Sequence, residues 1–448
     1  MPGDGRSGAG LFAPVVTTDA ILELTSGSAW VRAMLDVEAA LARVEERLDV
    51  VPAGTADAIG RACATGLDPD ELGRAARGGG NPVIPLVAEL RRRAGDAADW
   101  VHFGATSQDV LDSASMLVAA RTLAAIDEEL TGLGDACAGL SEAHRATLMV
   151  ARTLLQHALP TTFGLKAAGW LTAAAEGRTA LRQVRDRLPV QLGGAAGTLA
   201  SLGERGSAVA AALAAELGLT CPPLPWHTDR TVVAELAATL GMVTGVAAKI
   251  SWDVALLMQT EVAEAAEPPV AGRGGSSTLP HKRNPVAAAA VSSAHRQASA
   301  LVSVVLAAMP DEHERGLGGW QAEWETLTSL LRLAGGAAAH ARETAAGLVI
   351  DAGAMGRNLG RTGGVLLSER IVLELAPALG RTEATRAVQE AASSAASSER
   401  SFADALLAHP VLAPHLRPDR VAELLDPRGY LGSSDAFIDA ALKAYRDS

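Results

Sequence analysis

The sequence predicts an all-α protein built around a bundle of long helices, and three observations carry that expectation. Composition is the first: 48% of the 448 residues are hydrophobic but only 3% are aromatic. Ala and Leu are abundant, which suits closely packed helices better than a sheet of β-branched and aromatic side chains. The second is an apolar stripe, Leu236, Leu240, Val243, Ala247, Ile250, Val254 and Leu257, whose steps alternate between four and three, the seam of a long helix in a bundle. The third is that the stripe lies in a proline-free stretch, Thr231 to Glu267, and that such stretches dominate the middle of the chain.

Taken in order, residues 1 to about 10 read as a disordered lead. Helical periodicity begins around Ala29 and runs with Gly and Pro breaks to about Trp100, giving an N-terminal helical domain over 1–110. A central long-helix domain is expected over 111–350, with helices from about Leu111 to Leu133, Thr161 to Arg187, Thr231 to Glu267, Pro285 to Ala308 and Gln321 to Ile350. The fourth of these opens on Asn284-Pro285, an N-cap followed by proline at the first helical position. Its Ala287, Val291, Ala294, Ala298, Leu301 and Val305 repeat the seam with small residues that let backbones approach. From about Asp351, shorter helices broken by Gly380, Pro410, Pro414, Pro418 and Pro427 form a C-terminal helical domain over 351–448. Helices as long as the central ones commonly extend past their own subunit to pack against copies, so a multi-subunit helical core is expected.

A formal net charge of -12 argues against a general nucleic-acid binder, whose phosphate contacts need clustered cations, so an anionic substrate must meet a local basic pocket. Cys63, Cys137 and Cys221 are odd in number and widely spaced, which fits neither a disulfide framework nor a zinc site and suits a reducing cytoplasm. The N-terminus lacks the layout of a signal peptide and no run of eighteen apolar residues occurs, so neither export nor a membrane role is expected. No metal or organic cofactor is expected either, because no Cys/His/carboxylate cluster has ligand spacing and no dinucleotide fingerprint is present.

The stretch from Glu267 to Pro285 separates two of the expected helices. Its glycines permit positive φ and inward-facing N–H groups, and His281, Lys282 and Arg283 follow at once, a loop suited to anions. Gly275-Ser276-Ser277-Thr278-Leu279-Pro280-His281-Lys282-Arg283-Asn284-Pro285 resembles the GSSxMPxKxNP signature of the fumarase/aspartase superfamily, with Leu279 in place of methionine. Two further regions of that family appear in the right order. His102-Phe103-Gly104-Ala105-Thr106-Ser107-Gln108-Asp109 looks like H-x-G-x-T-S-x-D, and Gly193-Gly194-Ala195-Ala196-Gly197-Thr198 follows Arg152-Thr153-Leu154-Leu155-Gln156.

The resemblance implies a fumarase/aspartase-like fold: a central bundle of long helices flanked by two smaller helical domains, assembled as a homotetramer whose subunits each contribute to every active site. It also implies a small polycarboxylate substrate and a reaction that moves a proton at the carbon α to a carboxylate. The charged intermediate of such a reaction needs preorganised positive groups. By resemblance Lys282 and Asn284 hold it, and Ser276, its alkoxide stabilised by the loop N–H groups at Gly274 and Gly275 and by Lys282, moves the proton, with Ser277 binding substrate. Thr106, Ser107 and Gln108 would bind carboxylates, with Thr153, Gln156, Arg152 and Arg315 as further contacts. His102 either adds charge or holds its loop, and Asp109 reads as a helix-start or loop-fixing carboxylate.

One departure narrows the chemistry. Many relatives read T-H-x-Q where this chain has Thr153-Leu154-Leu155-Gln156, and leucine cannot replace the histidine that protonates the leaving group. A leaving group stable as an anion needs no such proton. The pattern, with Thr161 to Lys166 and Pro225 to Arg230, therefore looks like the bacterial 3-carboxy-cis,cis-muconate cycloisomerases, in which a substrate carboxylate adds to its own conjugated double bond. Nitrosuccinate lyase, which expels nitrite, meets the same criterion, and another superfamily lyase such as adenylosuccinate lyase is the remaining enzymatic alternative. His157 is a candidate displaced acid, expected on a helix that turns it away from Gln156. Retention of Ser276, Lys282 and Asn284 together argues against a non-catalytic structural protein on the same scaffold.

Overall fold

A computed structural model describes residues 10–270, 272–275, 278–398 and 400–447. All but the last residue of the lead expected at residues 1 to about 10 lies outside these. The chain is all-α, as its composition and seams imply. Among the described residues its helices include α1 (Gly27–Arg47), α2 (Val83–Arg93), α3 (Ser107–Ala143), α4 (Phe163–Arg185), α5 (Thr231–Leu257), α6 (Val286–Ala308) and α7 (Gly319–Ala346). Among the described residues the strands form two antiparallel ladders: β1 (Leu148–Thr153) with β2 (Gln156–Thr162), and β3 (Ala265–Ala266) with β4 (Val349–Ile350).

The seam residues behave as their spacing demands. Leu236, Leu240, Val243, Ala247, Ile250, Val254 and Leu257 are all buried on α5, as are Ala287, Val291, Ala294, Ala298 and Val305 on α6. Helix α5 is long and apolar enough to cross a bilayer, but just over half of its most apolar window is buried inside the chain, as in the core helix of a bundle.

Three expectations are corrected. Helix α5 stops at Leu257, where the stripe stops, and not at Glu267. Beyond it the chain folds back, with Glu264 N–H donating to the Leu257 carbonyl at 2.9 Å and Ala263 at φ +51°, because Glu264 must reach buried partners. Residues 153–157 form a hairpin rather than a helix: Thr153 pairs with Gln156 and Arg152 with His157. Thr161, Thr162, Val349 and Ile350, expected at helix ends, lie in strands instead.

The chain divides into two compact units. The first comprises the described residues of Met1–Gly132, with Glu176–Ser251 and Ala287–Arg342. In it Ala40, Leu41 and Val44 of α1 pack with Val190, Leu192, Leu202, Val209 and Leu213, and Phe103 and Ala105 close over that cluster. Hence the 101–106 loop and the 190s loop share one floor. Arg230, 1% exposed at its side chain, donates to both oxygens of Asp112 at 2.9 and 3.1 Å and to both of Glu323 at 3.0 and 2.5 Å. Its guanidinium lies 4.8 Å from the Trp226 ring centroid, and Trp320 Nε1 donates to Asp112 at 3.0 Å. This network ties α3, the 226–230 segment and α7.

The second unit comprises Leu133–Ala175, Trp252–Val286 and Glu343–Ser448, less the undescribed positions. It holds the hairpin, the 267–285 loop and a C-terminal core in which Ile371, Leu375, Val388, Phe402, Leu406 and Val421 pack together.

Removing one partner from a buried ion pair strands the other charge, at a cost of about 3–5 kcal/mol. Arg230→Met is expected to destabilise the first unit by that amount, read as a lower urea midpoint at unchanged slope. A midpoint within error of wild type would show that the network is not structural.

Candidate active site

Asp109 organises the site residues of the first unit. It lies in the first turn of α3, and each of its carboxylate oxygens has two partners. Oδ1 accepts from Gly193 N–H at 2.9 Å and meets His227 Nε2 at 2.7 Å. Oδ2 accepts from Gly194 N–H at 2.9 Å and Thr106 N–H at 3.0 Å. Three backbone segments far apart in sequence are thereby pinned to one buried group. Bonds to a charged acceptor contribute about 1.5–3 kcal/mol each. The loop-fixing role expected of Asp109 extends from one loop to three.

The 101–106 loop is held at almost every residue. Arg91 donates to the Val101 carbonyl at 3.4 Å, His102 Nδ1 lies 2.6 Å from Glu38 Oε1, and Phe103 meets Trp100 edge to face. Gly104 sits at φ +69°, and a Cβ there would meet Leu202 at 2.6 Å, so only glycine fits. Arg315 completes the group: Nη1 donates to Thr106 Oγ1 at 2.8 Å, and Nη2 to the carbonyls of Gly194 and Ala195 at 3.3 and 3.2 Å. Ser107 is half-buried and begins α3, a 37-residue helix whose N-terminal N–H groups favour an anion. The structure thus brings Thr106 and Arg315 into direct contact, with Ser107 adjoining.

Two expected contacts are otherwise engaged. Gln108 is fully buried and donates to the His227 carbonyl at 2.8 Å, so it braces the site from behind rather than facing a ligand. Arg152, in the second unit, gives both terminal nitrogens to Glu264 at 2.8 and 2.7 Å. Asn358 adds a bond to Glu264 at 2.7 Å. Glu264 is 0% exposed, so its charge needs that guanidinium and Arg152 is not free to bind substrate.

The hairpin that carries Arg152 turns through Leu154 and Leu155 alone, at φ +49° and +65°, the backbone of a type I′ turn that asparagine and glycine ordinarily supply. Leu154 is 97% exposed. Thr153 and Gln156 flank it, also exposed. His157, across the ladder from Arg152, is held below the ordinary imidazole pKa: burial lowers it first, and the Arg152 charge adds to this. Successive strand residues point to opposite faces, so His157 and Gln156 diverge by about 180° rather than by a helical step.

The 267–285 loop closes on itself. Gly275 and Arg283 form an antiparallel bridge, and Asn284 N–H donates to the Gly274 carbonyl at 2.8 Å. Gly274 is at φ +72°, and a Cβ would meet the Asn284 carbonyl oxygen at 2.7 Å, which explains glycine at this crossing. Lys282 is exposed and Asn284 partly so. Both line a cavity of about 240 Å³ with Glu267, Pro268, Arg273 and Arg283, and Arg273 pairs with Glu343 at 2.6 Å. Ser276 and Ser277 lie outside the described residues.

Sequence reasoning missed Glu38, Glu264 and the role of His227. Glu38 carried a signal, since with Glu45 it interrupts the apolar face of α1 at a seven-residue interval. Glu264 carried none, its partner being 112 residues away.

Comparison with known proteins follows the same lines. The profile of the family described as Lyase matches residues 15–299, and that of the adenylosuccinate lyase C-terminus matches residues 364–441. The chain is 48% identical over 415 residues to a 3-carboxy-cis,cis-muconate cycloisomerase of Pseudomonas aeruginosa, covering 91% of this chain and 90% of that protein. It is 43% identical over 446 residues to a nitrosuccinate lyase of Streptomyces davaonensis, covering 97% and 94%. The crystal structure of a 3-carboxy-cis,cis-muconate lactonizing enzyme from Pseudomonas putida superposes with a TM-score of 0.92 at 41% identity, covering 98% of this chain and 99% of that one.

Asp109→Asn places an amide NH₂ against N–H donors where a carboxylate oxygen stood. Turnover with the substrate is expected to fall about 100-fold or more, the loss of several preorganised contacts, with the helical circular dichroism intact. Near-normal turnover would remove Asp109 from its organising position.

Proposed function

The chain belongs to the fumarase/aspartase superfamily of lyases, and from that premise we propose that it interconverts 3-carboxy-cis,cis-muconate and 4-carboxymuconolactone as a cofactor-independent cycloisomerase. The observation that carries the reading is the hairpin tip. Where T-H-x-Q relatives present a proton donor, this chain presents Leu154. The reaction at this site must therefore release or accept a group stable as an anion, and a carboxylate, with a conjugate-acid pKa of about 4, is such a group.

In the lactone-forming direction a substrate carboxylate oxygen attacks the far carbon of the conjugated double bond. The π electrons move toward the neighbouring carboxylate, and the carbon α to it then takes one proton. Lys282 and Asn284 hold the enolate-like intermediate, and the Ser276 hydroxyl delivers the proton. Thr106, Ser107 and Arg315 hold a carboxylate of the substrate, His102 adds charge, and Thr153, Gln156 and Ser277 complete the contacts. Closing the lactone removes one carboxylate charge, so each turnover takes up one proton. Nitrite elimination from nitrosuccinate releases one instead.

A homotetramer with sites shared between subunits accompanies this reading. Support comes from apolar side chains left exposed on long helices, Met242, Trp252 and Leu256 on α5 and Val304 and Leu306 on α6, which a copy of the chain would cover. The free cysteines Cys63, Cys137 and Cys221 suit a reducing cytoplasm.

Mixed with 3-carboxy-cis,cis-muconate in weakly buffered solution, the protein is expected to consume the diene absorbance with proton uptake. Release of nitrite and protons from nitrosuccinate, with no reaction of the muconate, would transfer the assignment to nitrite elimination. Ser276→Ala should lower kcat by about 10²–10⁴ with KM little changed, the signature of a proton-transfer group. Lys282→Ala should raise KM and lower kcat together, since its charge meets the substrate before and during reaction. Near-normal kcat in Ser276→Ala would move proton transfer to another group.

Shared sites have their own test. Ser276→Ala and Asp109→Asn chains, each inactive alone, should regain part of the activity when dissociated and reassembled together. No recovery in mixed oligomers would mean that each site is built within one chain.

A further inference from the structure

Behind the 101–106 loop lie two carboxyl groups that the mechanism leaves unused. Glu38 and Glu45 project from α1 among Met34, Val37, Leu41 and Val44, and each is 1% exposed. An unpaired charge in such surroundings costs several kcal/mol, and helix packing alone would be served better by leucine. Glu38 Oε1 lies 2.6 Å from His102 Nδ1, whereas Glu38 Oε2 and Glu45 Oε1 are buried with no hydrogen-bond partner. His102 is held at φ +64°, a conformation costing a residue other than glycine about 1–3 kcal/mol unless its surroundings enforce it. Its side chain keeps 13% of its surface open. A carboxylate 2.6 Å from Nδ1 favours a proton on that nitrogen, and Nε2, across the ring, faces away from Glu38.

We propose that Glu38 is a positioning residue for the reaction: by holding Nδ1 of His102 it fixes the ring so that Nε2–H is offered to a carboxylate of the substrate, from the same loop that carries Thr106. This deepens, and rests on, the reading of the site as a polycarboxylate pocket. The groups that face His102 are Glu38 on α1, Asp109 on α3 and Arg91 on α2. Burial opposes charging of the ring. The charge and hydrogen bond of Glu38, helped by Asp109, outweigh burial and Arg91, so the imidazole holds its proton to higher pH than an ordinary histidine. Behind Glu38 lie the Glu45 carboxyl and the Cys63 thiol, with the ion-paired Arg32, Asp36 and Arg43 further out. Burial, reinforced by Glu38, pushes the Glu45 carboxyl up to about 9 and the Cys63 thiol up to about 12. Glu45 therefore adds no second anion on α1 at neutral pH, and the two unused carboxyl groups have different duties: one orients a cation, the other fills space as an acid.

The test is Glu38→Gln, which keeps the shape and one acceptor oxygen but removes the charge. NMR of the histidine-labelled enzyme follows the His102 ring through a pH titration, and steady-state kinetics with 3-carboxy-cis,cis-muconate separates KM from kcat. The expected result is a His102 titration displaced toward the ordinary imidazole range and a KM raised about tenfold, the loss of one charge-assisted contact. The change in kcat should be smaller, with partial rescue in Glu38→Asp. A merely structural Glu38 would alter the unfolding midpoint and leave the His102 titration and KM where they were, and that result overturns the proposal. The wild-type Nδ1–H resonance needs no variant: a strongly downfield proton is expected, and a His102 ring with Nδ1 unprotonated overturns the proposal even if Glu38→Gln does not fold. Absence of muconate turnover in the wild type would sink the functional reading, while the NMR titration still decides the role of Glu38.

Discussion

The first unit's part of the site depends on one buried carboxylate with four partners. Asp109 receives N–H groups from Thr106, Gly193 and Gly194 and meets the ring of His227. None of those segments is regular secondary structure, so no helix or sheet ladder would otherwise fix them. Concentrating their hydrogen bonds on one charged acceptor gives irregular backbone the definition a binding loop needs. Arg315 then spans what Asp109 has assembled, contacting Thr106 on one side and the Gly194 and Ala195 carbonyls on the other.

Asp112, one helical turn further along α3, repeats the device with a different aim. Asp109 orders loops, whereas Asp112 with Glu323 surrounds Arg230 and ties α3 to α7. Burial pushes the Glu323 carboxyl up more than Arg230 draws it down, while the Arg230 guanidinium is held charged more firmly than usual. The second unit uses a buried carboxylate in the same way. Glu264 captures Arg152 and Asn358, which stiffens the base of the hairpin while its tip, two leucines in a conformation suited to glycine, stays exposed. Strain at a solvent-facing tip of apolar residues is what a contact with another surface would select.

Much of this was legible in the sequence. The alternating seam marked α5 and α6, but the proline-free run to Glu267 misplaced the end of α5, because it continues past the last stripe residue, Leu257, where the helix stops. The resemblance around Gly275 to Pro285 and His102 to Asp109 identified the family. What stayed hidden had physical reasons. The hairpin was hidden because its turn is Leu-Leu, without the Asn-Gly or Asp-Gly signal that announces positive φ. Arg152 and Gln108 looked like ligand contacts because a sequence shows a side chain's chemistry and not its partner. Glu264 and the His227 carbonyl, each more than 100 residues away, had already engaged them. Glu38 was the near miss, an acid on a buried face whose purpose appears only once His102 is seen against it.

The most direct test of the arrangement is amide hydrogen exchange resolved to single residues at Thr106, Gly193 and Gly194. If one carboxylate holds all three, they open as a unit, with matching protection that falls together in His227→Ala. Three unrelated protection levels, or loss at one amide with the other two unchanged, would contradict the central position of Asp109 in the site.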